Sequence, residues 1–431
     1  MNHPALTGAA VDASTPLLVL RRSLGPFQHG VLGVARSAGR LGIPVYAVRM
    51  SQREPATRSR YIRGALDLPR SGDAGRWVEA LLSQSEALSG AILLPIDDLA
   101  AVAVGDHQDR LGERFRLASQ PPGVQRRLAS KLELWRLCQS IGLPTPASAF
   151  PSSEQEAIDQ AEAWGYPVVL KRAEPWFEPR DPSAPSVRIV HSREELREGY
   201  ARMESDIQPQ LMVQSFVPGD SDSVWMFNGY FGADSRCLCG FTGRKLRQRG
   251  PRTGPTTLGV CVPNERVSKA ATRLMRELDY RGIVDMGFRY DTRDDQYKLL
   301  DVNPRLGSTF RLFVSSNGVD VVRALHLDLT GRPVPPATPP DGRTWLDEPG
   351  DLLTFAQLKR ERAIGTLAWR RSRRNVDERA WWAVDDPLPF VAMSARLVPH
   401  ALRVGSRRML SNSSPAEPAH GAPSLDVKAI R

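Results

Sequence analysis

Residues 298–305 read Lys298-Leu299-Leu300-Asp301-Val302-Asn303-Pro304-Arg305 and place a carboxylate and an amide oxygen two positions apart. In a strand, residues i and i+2 project to one face. Asp301 and Asn303 therefore share a side, with Leu300 and Val302 expected to pack behind. Two hard oxygen donors on one surface suit Mg²⁺. Pro304 ends the ladder, and Arg305 follows as a guanidinium suited to phosphate. The same residues also suit an edge strand closing in a solvated turn, and the motif alone leaves both readings open.

A hairpin supplies the facing strand. The pattern predicts strands over 282–290 and 297–303, joined by 291–296. Symmetry about Asp294 sets Asp285 opposite Asn303 and Gly287 opposite Asp301, all on one face. Two aspartates and an asparagine crowded there are costly without a cation. Lys131 opens a predicted helix, and Lys171 ends the apolar strand Pro167-Val168-Val169-Leu170. Each could set an ammonium over a phosphate or snorkel at the surface. Residues 211–219 form an apolar strand entering a turn. Backbone groups around Phe216 and Val217 could pair with an adenine edge, and Asp220 or Asp222 could accept ribose hydroxyls. The run Gly243-Arg244-Lys245-Leu246-Arg247-Gln248-Arg249 is expected as a basic loop that clamps phosphate or an anionic substrate, or else as a solvated charged face.

The elements that must position these groups read as an alternation of strands and helices. Strands are predicted at 17–20, 45–48 and 91–95, with a turn around Gly25-Pro26 and helices over 30–41 and 75–89. That rhythm argues for a parallel sheet. No Gly-x-Gly-x-x-Gly follows the first strand, so a dinucleotide site there is disfavoured. Further on, helices are expected over 131–141, 152–164 and 192–203, and strands over 166–171, 186–190 and 211–217. Residues 331–341 hold five prolines and read as a linker. Beyond it, 342–410 is expected to be mostly helical with buried tryptophan anchors, and 411–431 to be a disordered tail.

A length of 431 residues implies about two to four folding units. With 41% hydrophobic and 25% charged residues, the chain is globular rather than disordered. No apolar run approaches the roughly 18–20 residues that span a bilayer, and residues 1–16 lack a secretory pattern, so a cytoplasmic location is expected. Four cysteines, Cys138, Cys237, Cys239 and Cys261, match neither a disulfide framework nor a zinc site. The net charge of +10 comes from arginine spread along the chain, which disfavours a nucleic-acid footprint.

Taken in order, Lys131, the run from Tyr166 to Lys171, the run from Val213 to Gly219, the run from Gly243 to Arg247 and the run from Asp301 to Arg305 resemble the ATP-grasp superfamily. The likeness is strongest to its carboxylate–amine ligase branch and covers about 90–330. It implies an α/β and α+β fold: an N-terminal parallel-sheet pre-ATP-grasp domain over 1–125, then a two-lobed ATP-grasp domain over 126–330. The small lobe would span about 126–215 and the large lobe about 216–330, followed by a helical C-terminal extension.

The resemblance also implies that ATP lies between the lobes. Lys131 and Lys171 would contact its phosphates; Gln214, Ser215, Phe216 and Val217 would frame adenine; Asp222 or Asp220 would hold ribose. Asp301 and Asn303, helped by Asp285, would ligate Mg²⁺ or Mn²⁺. Arg305, with Lys245 and Arg247, would stabilise the transferring phosphoryl group. The implied partners are a small-molecule carboxylate and amine, with a homodimer as a further candidate. No nucleophilic side chain is required, in keeping with the lack of a Ser-His or Cys-His constellation.

Two departures stand out. Gly287 occupies the position where the family usually carries a carboxylate, for which Asp285 is the expected substitute. The loop after Lys171, normally glycine-rich, holds four prolines through Pro185 and no glycine, leaving Arg172, Arg180 or Arg188 to meet phosphate. These departures also suit an ATP-binding protein that has lost catalysis. A basic nucleic-acid or membrane-surface protein is the third reading, resting on the charge and on Trp369, Trp381 and Trp382.

Overall fold

Short apolar runs near the N-terminus build an all-parallel sheet, as expected for strands buried on both faces. A computed structural model describes residues 6–23, 29–52, 54–69, 73–176, 181, 184–204, 211–250 and 253–396. The turn at Gly25-Pro26, Arg180 and the 411–431 tail lie outside the described residues. The first sheet comprises β1 (Leu17–Leu20), β2 (Val45–Val48), β3 (Ile62–Leu66) and β4 (Ile92–Pro95) in the order β3-β2-β1-β4. Strand β3 escapes the sequence pattern because Ile62-Arg63-Gly64-Ala65-Leu66 has no continuous apolar run. It is an edge strand, and Gly64 leaves room for the Tyr46 ring, which a Cβ would meet at 3.0 Å. Helix α1 (His29–Gly39) packs on one face of this sheet, α2 (Ala74–Gln84) packs on the other, and α3 (Asp98–Asp106) is capped by Asp97.

The second sheet has the order β5-β8-β6-β7, built from β5 (Ser148–Ala149), β6 (Val168–Arg172), β7 (Val187–Val190) and β8 (Leu211–Ser215). Two helices, residues 154–164 and 193–203, bury Ala157, Ile158, Leu196 and Tyr200 against it. Their N-caps, Ser153 and Ser192, each accept from the backbone N–H of a glutamate three residues on, which is a capping-box start.

The third sheet is the scaffold of the site. Its seven strands run β13-β12-β9-β10-β11-β14-β15: β9 (Val224–Phe231), β10 (Cys237–Gln248), β11 (Thr256–Cys261), β12 (Gly282–Asp291), β13 (Gln296–Asn303), β14 (Thr344–Leu346) and β15 (Glu378–Arg379). Three sequence expectations change here. The basic run from Gly243 is the end of strand β10 rather than a loop. Residues 126–143, at the start of the expected small lobe, pack instead under the large sheet: Leu128, Leu134 and Cys138 share a core with Leu274, Phe288 and Val302.

The C-terminal region is also not simply helical. Its β14 and β15 extend the large sheet, because Thr344-Trp345-Leu346 supplies the β-branched and apolar residues that pair with β11. Helical segments at Glu348–Arg360 and Thr366–Arg371 accompany them. Trp345 and Trp381 are fully buried anchors, as expected, while Trp382 is exposed. Ion pairs Arg36–Asp386, Arg247–Asp351 and Arg311–Glu378 tie this region to the rest. The proline-rich segment 331–341 lies against the core through Val334 and Ala337, and Asn317 donates to the Pro336 carbonyl at 3.0 Å.

Candidate active site

Between the second and third sheets lies a cleft of about 780 Å³. One wall carries Lys171 from β6 and Gln214, Ser215, Phe216 and Val217 from the end of β8; the other carries Asp285, Gly287, Arg289, Leu300, Asp301, Asn303 and Arg305. The β12–β13 register sets Asp285 opposite Asn303 and Gly287 opposite Asp301. The hairpin is not regular throughout. After Gly287–Asp301 the register shifts, so Phe288 faces Leu299 and Leu300 is the extra residue of a bulge. Leu300 consequently lines the cleft instead of packing behind, and Leu299 joins Val302 in the core.

The charged groups are paired with each other. Lys131 opens its helix under the Ser130 cap, its backbone N–H donates to the Ala173 carbonyl at 2.8 Å, and its ammonium pairs with the Asp301 carboxylate. Lys171 Nζ donates to the Leu300 carbonyl at 3.4 Å, so the bulge supplies its partner. Arg305 donates from Nε to Asp98 at 3.0 Å and from its second amino group to Asn303 Oδ1 at 3.1 Å. Asp98 sits at the first turn of α3, so the N-terminal domain aims this guanidinium. Lys245 Nζ donates to the Gly254 carbonyl at 2.7 Å.

Burial works against every charge here. It pushes Lys171 and Lys245 each down to about 8, against the opposing pull of Asp301 on the first and Asp285 on the second. Burial disfavours the Lys131 ammonium too, but its ion pair with Asp301 outweighs that and its pKa is raised. Asp301 is the mirror case: burial would raise it, yet Lys131, Lys171 and Arg305 hold it below the carboxylate range. Asp285 is pushed up by burial, with Arg305 opposing and Asp301 reinforcing.

Several expected residues lie elsewhere. Arg247 turns away from the cleft, and the cause is a second bulge. Between Lys245 and Arg247 the β10–β11 register shifts by one residue, which flips alternate side chains to opposite faces. Lys245 lines the cleft, while Arg247 pairs with fully buried Asp351 at 2.7 Å. Asp220 and Asp222 are exposed beside a short turn at Ser221–Ser223 and do not line the cleft. Arg188 pairs with Glu198 at 2.9 Å, and Arg172 does not line the cleft.

Arg289 is a lining residue that the sequence reading passed over. Its guanidinium lies 5.2 Å from the centre of the Phe216 ring and donates to the Gly219 carbonyl. The i+2 spacing of Asp285, Gly287 and Arg289 carried that signal. Asp98 carried none, since its partner Arg305 is distant in sequence.

No family model matches the chain. It is 24% identical over 298 residues to the D-aspartate ligase of Enterococcus faecium, covering 66% of this chain and 70% of that protein. It is 23% identical over 251 residues to the C-terminal section of the carbamoyl phosphate synthase large chain of Methanopyrus kandleri, covering 54% of this chain and 44% of that one. Among solved structures, the biotin carboxylase domain dimer of Hydrogenobacter thermophilus 2-oxoglutarate carboxylase, crystallised with MgADP and bicarbonate, superposes with a TM-score of 0.56. That match has 16% identity and covers 77% of this chain and 73% of the domain. In sequence and in fold the chain is similar to ATP-grasp carboxylate–amine ligases.

The ATP-grasp fold implies a divalent cation, and the residues present suit one. Among the described residues no three His, Cys, Asp or Glu side chains form a cage, so the donors are the two aspartates and the asparagine of the hairpin. A Cβ on Gly287 would meet no atom within 4 Å, which leaves space beside them. Asn228, fully buried next to Asp285 in the ladder, has both amide atoms without a hydrogen-bond partner. Hard oxygen donors around open space fit Mg²⁺ or Mn²⁺.

Proposed function

We propose that this protein is an ATP- and Mg²⁺-dependent ligase that joins a small carboxylate to an amine. The observation that carries the reading is the paired hairpin face, Asp285 with Asn303 and Asp301, flanked by Lys131 and Arg305 and faced by Lys171 from the other wall of one cleft. Relatives that include a D-aspartate ligase support the same class.

In this reading Lys131 and Lys171 draw the ATP phosphates into the cleft, and Gln214, Ser215, Phe216 and Val217 border adenine. Arg289, stacked on Phe216, joins that border. A carboxylate oxygen of the substrate attacks the γ-phosphorus as the bond to the bridging oxygen breaks, releasing ADP. The amine then attacks the acyl carbon of the acyl phosphate, phosphate leaves, and the amine gives up a proton. Arg305, aimed by Asp98, and Lys245 offset the charge that gathers on the transferring group. When bound, the divalent ion supplies further neutralisation of phosphate charge. Asp285, Asp301 and Asn303 would hold it.

The test is release of ADP and phosphate across a panel of amino acids and small carboxylates, with hydroxylamine trapping of the activated acyl group. Turnover that survives intact in Asp301→Asn would sink the role of that residue. A second reading, an ATP-binding protein without turnover, is favoured by Gly287 and the glycine-free loop; it requires ATP binding with no ADP release on the whole panel. The nucleic-acid or membrane-surface reading loses ground because arginines such as Arg36, Arg247 and Arg311 are engaged in buried ion pairs.

A cytoplasmic location and a homodimer complete the proposal. No described helix is long and apolar enough to cross a membrane, and the Hydrogenobacter domain is described as a dimer. Light scattering on the purified chain tests the oligomeric state.

A further inference from the structure

Three amide or carboxylate side chains form one row across the strands at the cleft. Asn228 on β9 stands opposite Asp285 on β12, and Asp285 stands opposite Asn303 on β13. Directly opposed residues project to the same face, so the whole row lies on the cleft side. Two residues further along β12 the row reads Met226, Gly287, Asp301. That row holds a single carboxylate, a thioether and empty space where a Cβ on Gly287 would touch nothing. The oxygen donors are therefore concentrated in the Asp285 row, with Asp301 as the carboxylate of the neighbouring row.

The Asp285 carboxyl is held from behind and from the side. A Cβ on Gly307 would lie 2.4 Å from its Cγ, so that backbone closes off the rear. Asn303 Nδ2 donates to Asp285 Oδ2 at 3.3 Å. Asn228 is fully buried, yet neither amide atom makes a hydrogen bond of ordinary geometry. A buried amide left in that state is destabilising. An apolar residue would pack there at lower cost, so packing gives no reason for an asparagine. Orienting a ligating carboxylate does, because partners behind metal ligands fix their direction and tune affinity.

We infer that this chain binds one divalent cation per nucleotide, held by Asp285, Asn303 and Asp301, with Asn228 as the positioning residue that orients Asp285 and Gly287 as the reason a second ion has no ligand. The inference rests on the proposed nucleotide-dependent reading.

The experiment titrates Mn²⁺ into the full chain with the non-hydrolysable analogue AMP-PNP, counting bound Mn²⁺ by electron paramagnetic resonance. One Mn²⁺ per chain is expected. Gly287→Asp, which fills open space, is expected to bring a second. Asn228→Leu is expected to keep or raise the melting temperature while weakening Mn²⁺ by about 10- to 100-fold. A merely structural Asn228 would give the same or higher melting temperature with unchanged Mn²⁺ affinity, and that result would overturn the inference. Two Mn²⁺ in the wild type would also overturn it while leaving the ligase reading standing. No Mn²⁺ bound with AMP-PNP would remove both.

Discussion

Replacing Arg247 with methionine separates its structural place from the catalytic one that its position in a basic run implies. The guanidinium pairs with Asp351 at 2.7 Å and donates to Ser372 Oγ at 2.9 Å, and Asp351 is fully buried. Removing one partner of a buried ion pair costs about 3–5 kcal/mol, because the other charge stays buried. Asp351 would keep the Trp369 indole at 2.8 Å and Arg373 at 3.5 Å, which sets the loss near the lower end, about 3 kcal/mol.

At about 2–4 °C per kcal/mol for a cooperative unit of roughly 150–250 residues, the melting temperature should fall by about 6–12 °C. The double variant Arg247→Met/Asp351→Leu should recover most of that, since apolar replacement of a buried pair is often neutral. Differential scanning calorimetry gives the stability, and isothermal titration with AMP-PNP gives the affinity, which should not change. A drop in AMP-PNP affinity of about tenfold, at an unshifted melting temperature, would refute the structural assignment and return Arg247 to the cleft.

Further outcomes follow from the same geometry. Lys171 and Lys245, each depressed to about 8, lose their charge as pH rises through that value, so ATP affinity should weaken above pH about 8. Titration calorimetry across that range checks it, and an affinity that is flat or rising there would contradict the role of these ammonium groups. For the unliganded fold the sign reverses. An unfolded chain binds more protons at these lysines between about 8 and the ordinary lysine value of 10.5, so their burial costs least above that window and most below it. Asp301→Asn should lower turnover by roughly 10²-fold or more in an ADP-release assay. Trp381→Ala, at a fully buried site, should cost about 3–5 kcal/mol in calorimetry, and Mn²⁺ stoichiometry in the surviving folded protein should be unchanged.

Local alternation carries the hairpin. Asp285 and Gly287 share a face, as do Asp301 and Asn303, because strand geometry has period two, but the loop register alone would set Gly287 opposite Leu300, and the bulge at Leu300 moves it to Asp301. Lys131 and Lys171 are legible for a similar reason: one follows a serine cap and the other ends an apolar run. Bulges are where that logic fails. One extra residue at Leu300 brings it into the cleft to receive Lys171, and one near Leu246 sends Arg247 to the opposite face. Nothing in the local pattern marks either, because both depend on the register of the neighbouring strand.

By itself, then, the sequence determined the strands and helices of the first two sheets, β3 and β5 apart, and the donor groups of the cleft, since short-range periodicity and capping act within a few residues. The tertiary structure alone decided which donors meet. Asp98 aims Arg305, Asn228 stands across the ladder from Asp285, and β14 closes onto β11. Each contact joins segments far apart in the chain, and burial rather than local preference brings them together.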